Sequence, residues 1–452
     1  MRQIFAVFFC FLSSWICSHA QVDTTMLLED KRIQIEATNA INQMYNFKFP
    51  EAEAYFLSLK KRYPDHPMPY FLMALSNWWK MVPLLDNGDY SNEYESEFLG
   101  YIEEAISRGE DIIDNDKDNV EAAFFLCAAY GFKGRYYSDN KNYMKAAWAG
   151  KSALNYLSNF KGKSSLSPEF LFGESLFNYY AEWLKEEYPL LKPILGMFPK
   201  GNKQLGLSQL QECARNSFYT RVEAQCYLMR IYYNEESNSE AAYPYAEYLA
   251  KNFPDNPYFQ RVYARLAFTR GRWDICESVS YDINYKVNIG MPGYDEANTG
   301  RYASAFLGRI LYEKGDYEKA AFYLNKAVFY AEKSGNMNMG YSLASAYYLG
   351  MIQKKNGQLE DAKKNFQKVI DNATEKDNNS FEFCSNAYYQ LASILEEEKK
   401  YKEAENNYRS AMHHANKIDL KKDKRDYYYF VEDMNKKCTA SITRVRTKYR
   451  AR

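Results

Sequence analysis

Histidine, the side chain that most often carries proton transfer or holds a metal, occurs only four times in this sequence: His19, His66, His413 and His414. His413 and His414 are adjacent, and neighbouring residues on a helix point about 100 degrees apart. They cannot share one metal simply, and no HExxH motif is present. A Ser/His/Asp or Cys/His nucleophilic site is not offered either, because it needs an imidazole beside the nucleophile. The stretch Gly196-Met197-Phe198-Pro199-Lys200-Gly201-Asn202-Lys203 has the outline of a phosphate-binding loop but not its chemistry. Asn202 stands where the lysine belongs, no Ser or Thr follows, and Pro199 lacks the amide that would face phosphate. Gly290, Gly293 and Gly300 do not have the GxGxxG spacing. Carboxylate pairs such as Glu103-Glu104, Glu186-Glu187 and Glu396-Glu397 are plentiful, yet none is singled out as a glycosidase pair, and they read as wet helix faces. The expectation is a non-enzymatic protein with no metal and no cofactor.

What is abundant is aromatic: 43 Tyr, 28 Phe and 6 Trp in 452 residues, with clusters at Trp78-Trp79, Tyr136-Tyr137, Tyr179-Tyr180, Tyr347-Tyr348 and Tyr427-Tyr428-Tyr429. Tyrosine joins an apolar ring to a hydroxyl that can stay wet, so most of these rings should pack between elements. A minority could line a binding face, where Tyr and Arg are favoured anchors. The charges balance at 58 basic and 58 acidic residues. No overall field is available for nucleic acid or for steering a charged partner.

At the amino terminus an apolar run, Ile4 to Ile16, follows Arg2 and ends in Ser18-His19-Ala20. This reads as a secretory signal peptide over residues 1–20, too short to span a bilayer. Export follows as an expectation, to a periplasm or an outer-membrane-associated location. Ser14-Trp15-Ile16 ahead of Cys17 does not fit a lipoprotein signal. Six later cysteines, with no CxxC, read as buried free thiols; if any two were bridged, Cys213 and Cys226 would be the pair, on neighbouring helices.

The elements that must position any binding residue are set by a repeat. Leu307-Gly308, Gly315, Tyr317, Ala320 and Leu324 recur as Leu349-Gly350, Gly357, Leu359, Ala362 and Phe366. They recur again as Leu391-Ala392, Lys399, Tyr401, Ala404 and Tyr408. The alanines fall 42 residues apart each time, and a fixed period denotes a repeat array. The small residue after Leu admits a second helix closely, and the glycine ends the first helix in the left-handed conformation. Each unit is therefore a helical hairpin. Ala52, Phe56, Leu59 and Pro64, and again Ala242, Ala246, Leu249 and Pro254, match the second helix, each closing in a Pro-Asp-x-Pro turn. Weaker units surround Tyr263-Ala264 and Leu126-Cys127, the latter expected to carry an enlarged loop from Gly131 to Asn142. Loop-rich breaks are expected from Glu187 to Gly206 and from Tyr281 to Gly300.

In these residues the chain resembles the tetratricopeptide repeat superfamily, with the longer helices of some cargo-adaptor members and the style of exported bacterial proteins of that class. Residues 198–257 also resemble eukaryotic tetratricopeptide proteins linked to the mitochondrial outer membrane. The resemblance implies an all-α superhelical solenoid of antiparallel helix pairs, about seven or eight units. It would run as N-terminal repeats over 21–186, central repeats over 187–290, three 42-residue units over 291–418, and a capping helix with a basic tail over 419–452. It implies a protein-interaction scaffold, gripping a peptide or protein in a concave groove. Carried onto this sequence, the groove positions include Tyr302, Arg309, Tyr312, Tyr347, Lys354, Tyr389 and Glu396. The alternative is a glycan-binding module of the same repeat type at the outer membrane.

Overall fold

The computed structural model describes residues 26–84, 93–189, 196, 199–374, 377–421 and 427–450; the segment read as a signal peptide lies outside them. Nineteen α-helices follow one another among the described residues, and no strand interrupts them. They are α1 (Lys31–Tyr45), α2 (Phe49–Arg62), α3 (Pro67–Met81), α4 (Glu95–Asn115), α5 (Val120–Asp139), α6 (Tyr143–Phe160) and α7 (Phe170–Glu187). The middle holds α8 (Lys203–Asn216), α9 (Arg221–Arg230), α10 (Ser239–Asn252), α11 (Pro257–Thr269) and α12 (Trp273–Asn288). The last part holds α13 (Arg301–Glu313), α14 (Tyr317–Lys333), α15 (Gly340–Lys355), α16 (Leu359–Asn372), α17 (Asn378–Glu397), α18 (Tyr401–Ala415) and α19 (Tyr428–Arg450).

Odd- and even-numbered helices pair from α1·α2 to α17·α18, and α19 packs on α18. That makes nine hairpins among the described residues, more than the seven or eight the repeat count predicts. The first helices of successive hairpins also touch, as in α3·α5, α11·α13, α13·α15 and α15·α17. They therefore line one wall, with the second helices behind them, which is the all-α superhelical solenoid of the repeat reading.

The local chemistry explains the hairpins. A Cβ on Gly308 would lie 2.6 Å from Leu324 Cδ2, and one on Gly350 would lie 2.8 Å from Phe366 Cε1, so the missing side chain sets how closely the second helix approaches. Gly315 and Gly357 turn the chain at φ +79° and +76°. In the third unit Lys399 takes the same turn at φ 62°. The two Pro-Asp-x-Pro turns start α3 and α11, with His66 Nδ1 accepting from the Met68 amide at 3.1 Å and Asn256 Oδ1 from the Phe259 amide at 3.1 Å. Proline at the first helical position suits this, since that amide has no helical partner.

Two expectations are corrected. Gly131 to Asn142 is not an enlarged loop: α5 continues to Asp139. Gly134 is a contact glycine there, its Cβ position 3.5 Å from Ala149 Cβ, so α5 and α6 pack tightly. The break at Tyr281 to Gly300 shrinks, because α12 runs to Asn288 and a π-helical turn, Glu296–Gly300, leads directly into α13. The cysteines agree with the reading as buried free thiols: Cys213 and Cys226 sit on neighbouring helices, α8 and α9, and both are free and buried, as are the other four described cysteines. Burial raises the thiols of Cys127, Cys213, Cys276 and Cys438, and that of Cys226 is pushed up to about 12.

The stack also closes on itself in a way the repeat does not announce. The Tyr45 carbonyl at the end of α1 accepts from Asn256 Nδ2 at 2.8 Å, and Asn46 Oδ1 accepts from the Asp255 amide at 3.0 Å. Gly293 sits against Phe47, where a Cβ would lie 2.3 Å from Cε1. One continuous apolar core consequently runs from Leu28 to Ile310, whereas the last hairpins have smaller cores of their own.

Candidate partner-binding wall

The predicted groove residues occupy first helices α13, α15 and α17, and the structure divides them into three groups. Tyr302, Arg309 and Tyr312 face Tyr341 and Tyr348 of the next first helix. The Tyr302 and Tyr341 rings are 5.5 Å apart, Arg309 lies 4.1 Å over Tyr348, and Tyr312 is 4.8 Å from Tyr348. Arg309 also pairs with Glu313 at 2.7 Å. Tyr347 and Lys354 form the second group and are drawn inward. Tyr347 packs between Phe366 and Phe383, and burial pushes its phenol up to about 12. Lys354 donates to Gln390 Oε1 at 2.9 Å and to Ser393, with its pKa lowered by desolvation.

The third group, Tyr389 and Glu396, is engaged by the rest of the chain. Tyr389 lies 5.4 Å from Tyr408. Glu396 is buried, accepts two 2.7 Å hydrogen bonds from Arg444 and one of 2.9 Å from Lys448 of α19, and a further one from Tyr408 at 3.1 Å. The Arg444 guanidinium holds this carboxyl down at about 2. Its role here is to fix the terminal helix, and its charge is already matched.

Upstream, the same wall carries residues that sequence reasoning missed. Arg135 of α5 lies 4.6 Å over Trp78 and donates to the Tyr227 hydroxyl at 3.1 Å. Arg230, at the end of α9, lies 5.7 Å from the same Tyr227 ring. On α11, Arg261 sits between Tyr258 and Tyr302, at 5.9 and 5.6 Å, and Arg265 lies 5.1 Å over Tyr233. Arginines of α5, α9, α11 and α13 thus each lie against an aromatic ring along this wall. Among the described residues Arg230 and Arg265 form no ion pair. Glu223 and Glu235 feel the charge of Arg230 without reaching ion-pair distance, and Arg265 Nε is buried with no hydrogen-bond partner. Arg265 is held by hydrogen bonds with the Tyr233 and Tyr341 hydroxyls, which carry no full negative charge to match it. The signal was present: the groove spacing that gives Tyr302 and Arg309 on α13 gives Tyr258 and Arg265 on α11, seven residues apart in both.

The buried carboxylates elsewhere serve the fold. Glu169 accepts from the amides of Phe218, Tyr219 and Thr220 at 2.6–3.0 Å. Glu121 accepts from the Leu27 and Leu28 amides at 3.1 and 2.8 Å, with His66 Nε2 3.5 Å away. The stretch that has the outline of a phosphate-binding loop is also committed: the Gly201 amide donates to Glu182 at 3.1 Å, and Lys203 pairs with Glu186 and Glu236, each at 3.1 Å. Among the described residues no three His, Cys, Asp or Glu side chains converge in a way that could hold a metal, and no helix is long and apolar enough to cross a membrane.

Comparison with known proteins bears on the C-terminal hairpins most directly. Residues 303–333 and 385–412 match one tetratricopeptide repeat model, and residues 344–373 match another. No curated protein matches the chain. Among solved structures it is similar to yeast Tom70, at 12% identity and TM-score 0.36, over 93% of this chain and 91% of that one. It is also similar to the P58(IPK) TPR domain, at 12% identity and TM-score 0.26, over 91% and 98%. A circular tandem repeat protein of novel repeat topology aligns at 8% identity and TM-score 0.24, over 92% and 97%.

Proposed function

We propose that this chain, which carries tetratricopeptide repeats within residues 303–412, is a protein-interaction scaffold that holds an extended, acidic segment of a partner along its first-helix wall. The observation that carries the reading is the set of arginine–ring contacts on that wall, with Arg230 and Arg265 in no ion pair among the described residues. Each guanidinium lies within cation–π reach of a tyrosine ring, which reduces the ordering needed on binding. Tyr302, Arg309 and Tyr312 continue the same surface, whereas Lys354 and Glu396 act inside the stack. The segment 1–20 supports export of the scaffold, and the mass of the secreted chain, expected to begin at Gln21, checks that part.

A peptide display library panned on the purified chain tests the binding reading. Enrichment of Asp- and Glu-rich sequences is expected, and an Arg230→Gln/Arg265→Gln variant should bind the selected peptides at least about tenfold more weakly. Selection of apolar or basic peptides, or undiminished binding by the folded variant, rejects the assignment.

A further inference from the structure

The outward side of α6 combines exposed apolar side chains with lysines and no acidic residue. Tyr143, Met144 and Trp148 are 60%, 63% and 64% exposed, and with Lys151 they occupy one face. Ala149, Leu157 and Phe160 point the opposite way into the core. From Asn140 to Pro168 the chain has five lysines, Lys141, Lys145, Lys151, Lys161 and Lys163, and no acidic residue. None of the five makes an ion pair among the described residues. Lys145 lies 5.3 Å from the half-buried Tyr137 ring and Lys151 5.5 Å from the exposed Trp148, so two of the charges ride beside rings.

We propose that this face docks the protein on an anionic lipid bilayer. A tryptophan, a tyrosine and a methionine projecting from a helix that lies flat, ringed by unpaired lysines, match an interface where rings enter the headgroup layer and ammonium groups meet lipid phosphates. A soluble polyanion would satisfy the lysines but not the exposed apolar side chains. The charge is local: the whole chain is neutral, so the attraction belongs to this helix. The first-helix wall lies on the other side of each hairpin, so docking through α6 leaves it open to a partner, and neither reading depends on the other.

Vesicle co-sedimentation of the full chain tests it, with phosphatidylcholine vesicles alone and mixed with phosphatidylglycerol. Binding is expected only to the mixed vesicles and should weaken as salt is raised, because exposed charges are screened within about 10 Å at 0.1 M. Met144→Ala/Trp148→Ala and, separately, Lys145→Gln/Lys151→Gln should each lower vesicle affinity by at least about tenfold. Phe322→Ala, equally exposed on α14, should bind as the parent does. All these positions are exposed, and circular dichroism of each variant confirms that folding is intact. Equal binding to both vesicle types, retention by a soluble polyanion with no preference for bilayers, or a patch-dependent dimer that ignores vesicles would each overturn the proposal.

Discussion

At the scale of single residues, Glu396 shows how far a side chain's type falls short of its role. The groove spacing places it on the binding wall, yet Arg444, Lys448 and Tyr408 converge on it and bury it. Its carboxyl is held at about 2, below the ordinary value of 4.5, first by the Arg444 hydrogen bonds. A group depressed on folding contributes stability that is complete above its unfolded value and is lost as pH falls through the folded one. The pair should therefore stabilise the stack fully above pH 4.5 and progressively less towards pH 2. Because Arg444 is half-exposed, solvent screening limits the effect to about 1–2 kcal/mol. In urea melts across this range, Glu396→Gln should lie below the parent at pH 6 and approach it as pH nears 2. Two curves that stay parallel would show that the ion pair does not set this dependence.

At the scale of elements, what the sequence disclosed follows from how each contact is made. The 42-residue ladder was legible because its contacts are local and repeat: Gly308 against Leu324 and Gly350 against Phe366 leave small and large residues at constant spacing. Even there the third unit replaces the turn glycine by Lys399, and it was recognised only through its register with the other two. The same residue type misled further upstream. Gly131 and Gly134 look like a loop in sequence but lie within α5, where at least Gly134 serves close approach to α6, and sequence alone cannot tell a turn glycine from a contact glycine. Gly206 is a contact glycine of the strictest kind. A Cβ there would lie 2.6 Å from the Tyr179 amide nitrogen and 2.7 Å from the Ser175 carbonyl oxygen, both backbone atoms that cannot swing aside. Gly206→Ala should thus push α8 off α7 and cost about 1–3 kcal/mol in chemical denaturation, although alanine is the better helix former. A neutral or stabilising outcome would show that the two helices can separate without loss. On the first-helix wall, Tyr258 and Arg265 were within reach of the same spacing argument, but their hairpin is a weaker unit, with Cys276 where the other units have the period-setting alanine.

At the scale of the whole molecule, the chain departs from the behaviour expected of a simple array. Repeat stacks are held by nearest neighbours, so they tend to lose structure locally from weak points. Here Glu223 on α9 accepts from Trp79 Nε1 of α3 at 2.7 Å and from the Tyr45 hydroxyl of α1 at 3.1 Å, joining helices separated by 144 and 178 residues. Contacts of that range leave no periodic trace, which is why nothing in the repeat foretold them. Desolvation is the strongest influence on this carboxyl and raises its pKa, with the Trp79 hydrogen bond opposing it. The stability it contributes is then fullest below pH 4.5 and declines as pH rises, so a neutral acceptor should serve as well at pH 7. Glu223→Gln is expected to match or exceed the parent's stability at neutral pH. Glu223→Ala strands two buried donors and should cost about 2–4 kcal/mol. Hydrogen exchange carries the distinguishing readout. In the alanine variant protection should fall together in α1, α3 and α9 to α11, because the closure through Tyr45, Asn46 and Asn256 shares one core with Glu223. Helices α15 to α18, with separate cores, should exchange as before. Loss confined to α9, or spread evenly to the last hairpins, would mean that the molecule is an ordinary linear stack and that α1, α3 and α9 do not cooperate through the carboxylate.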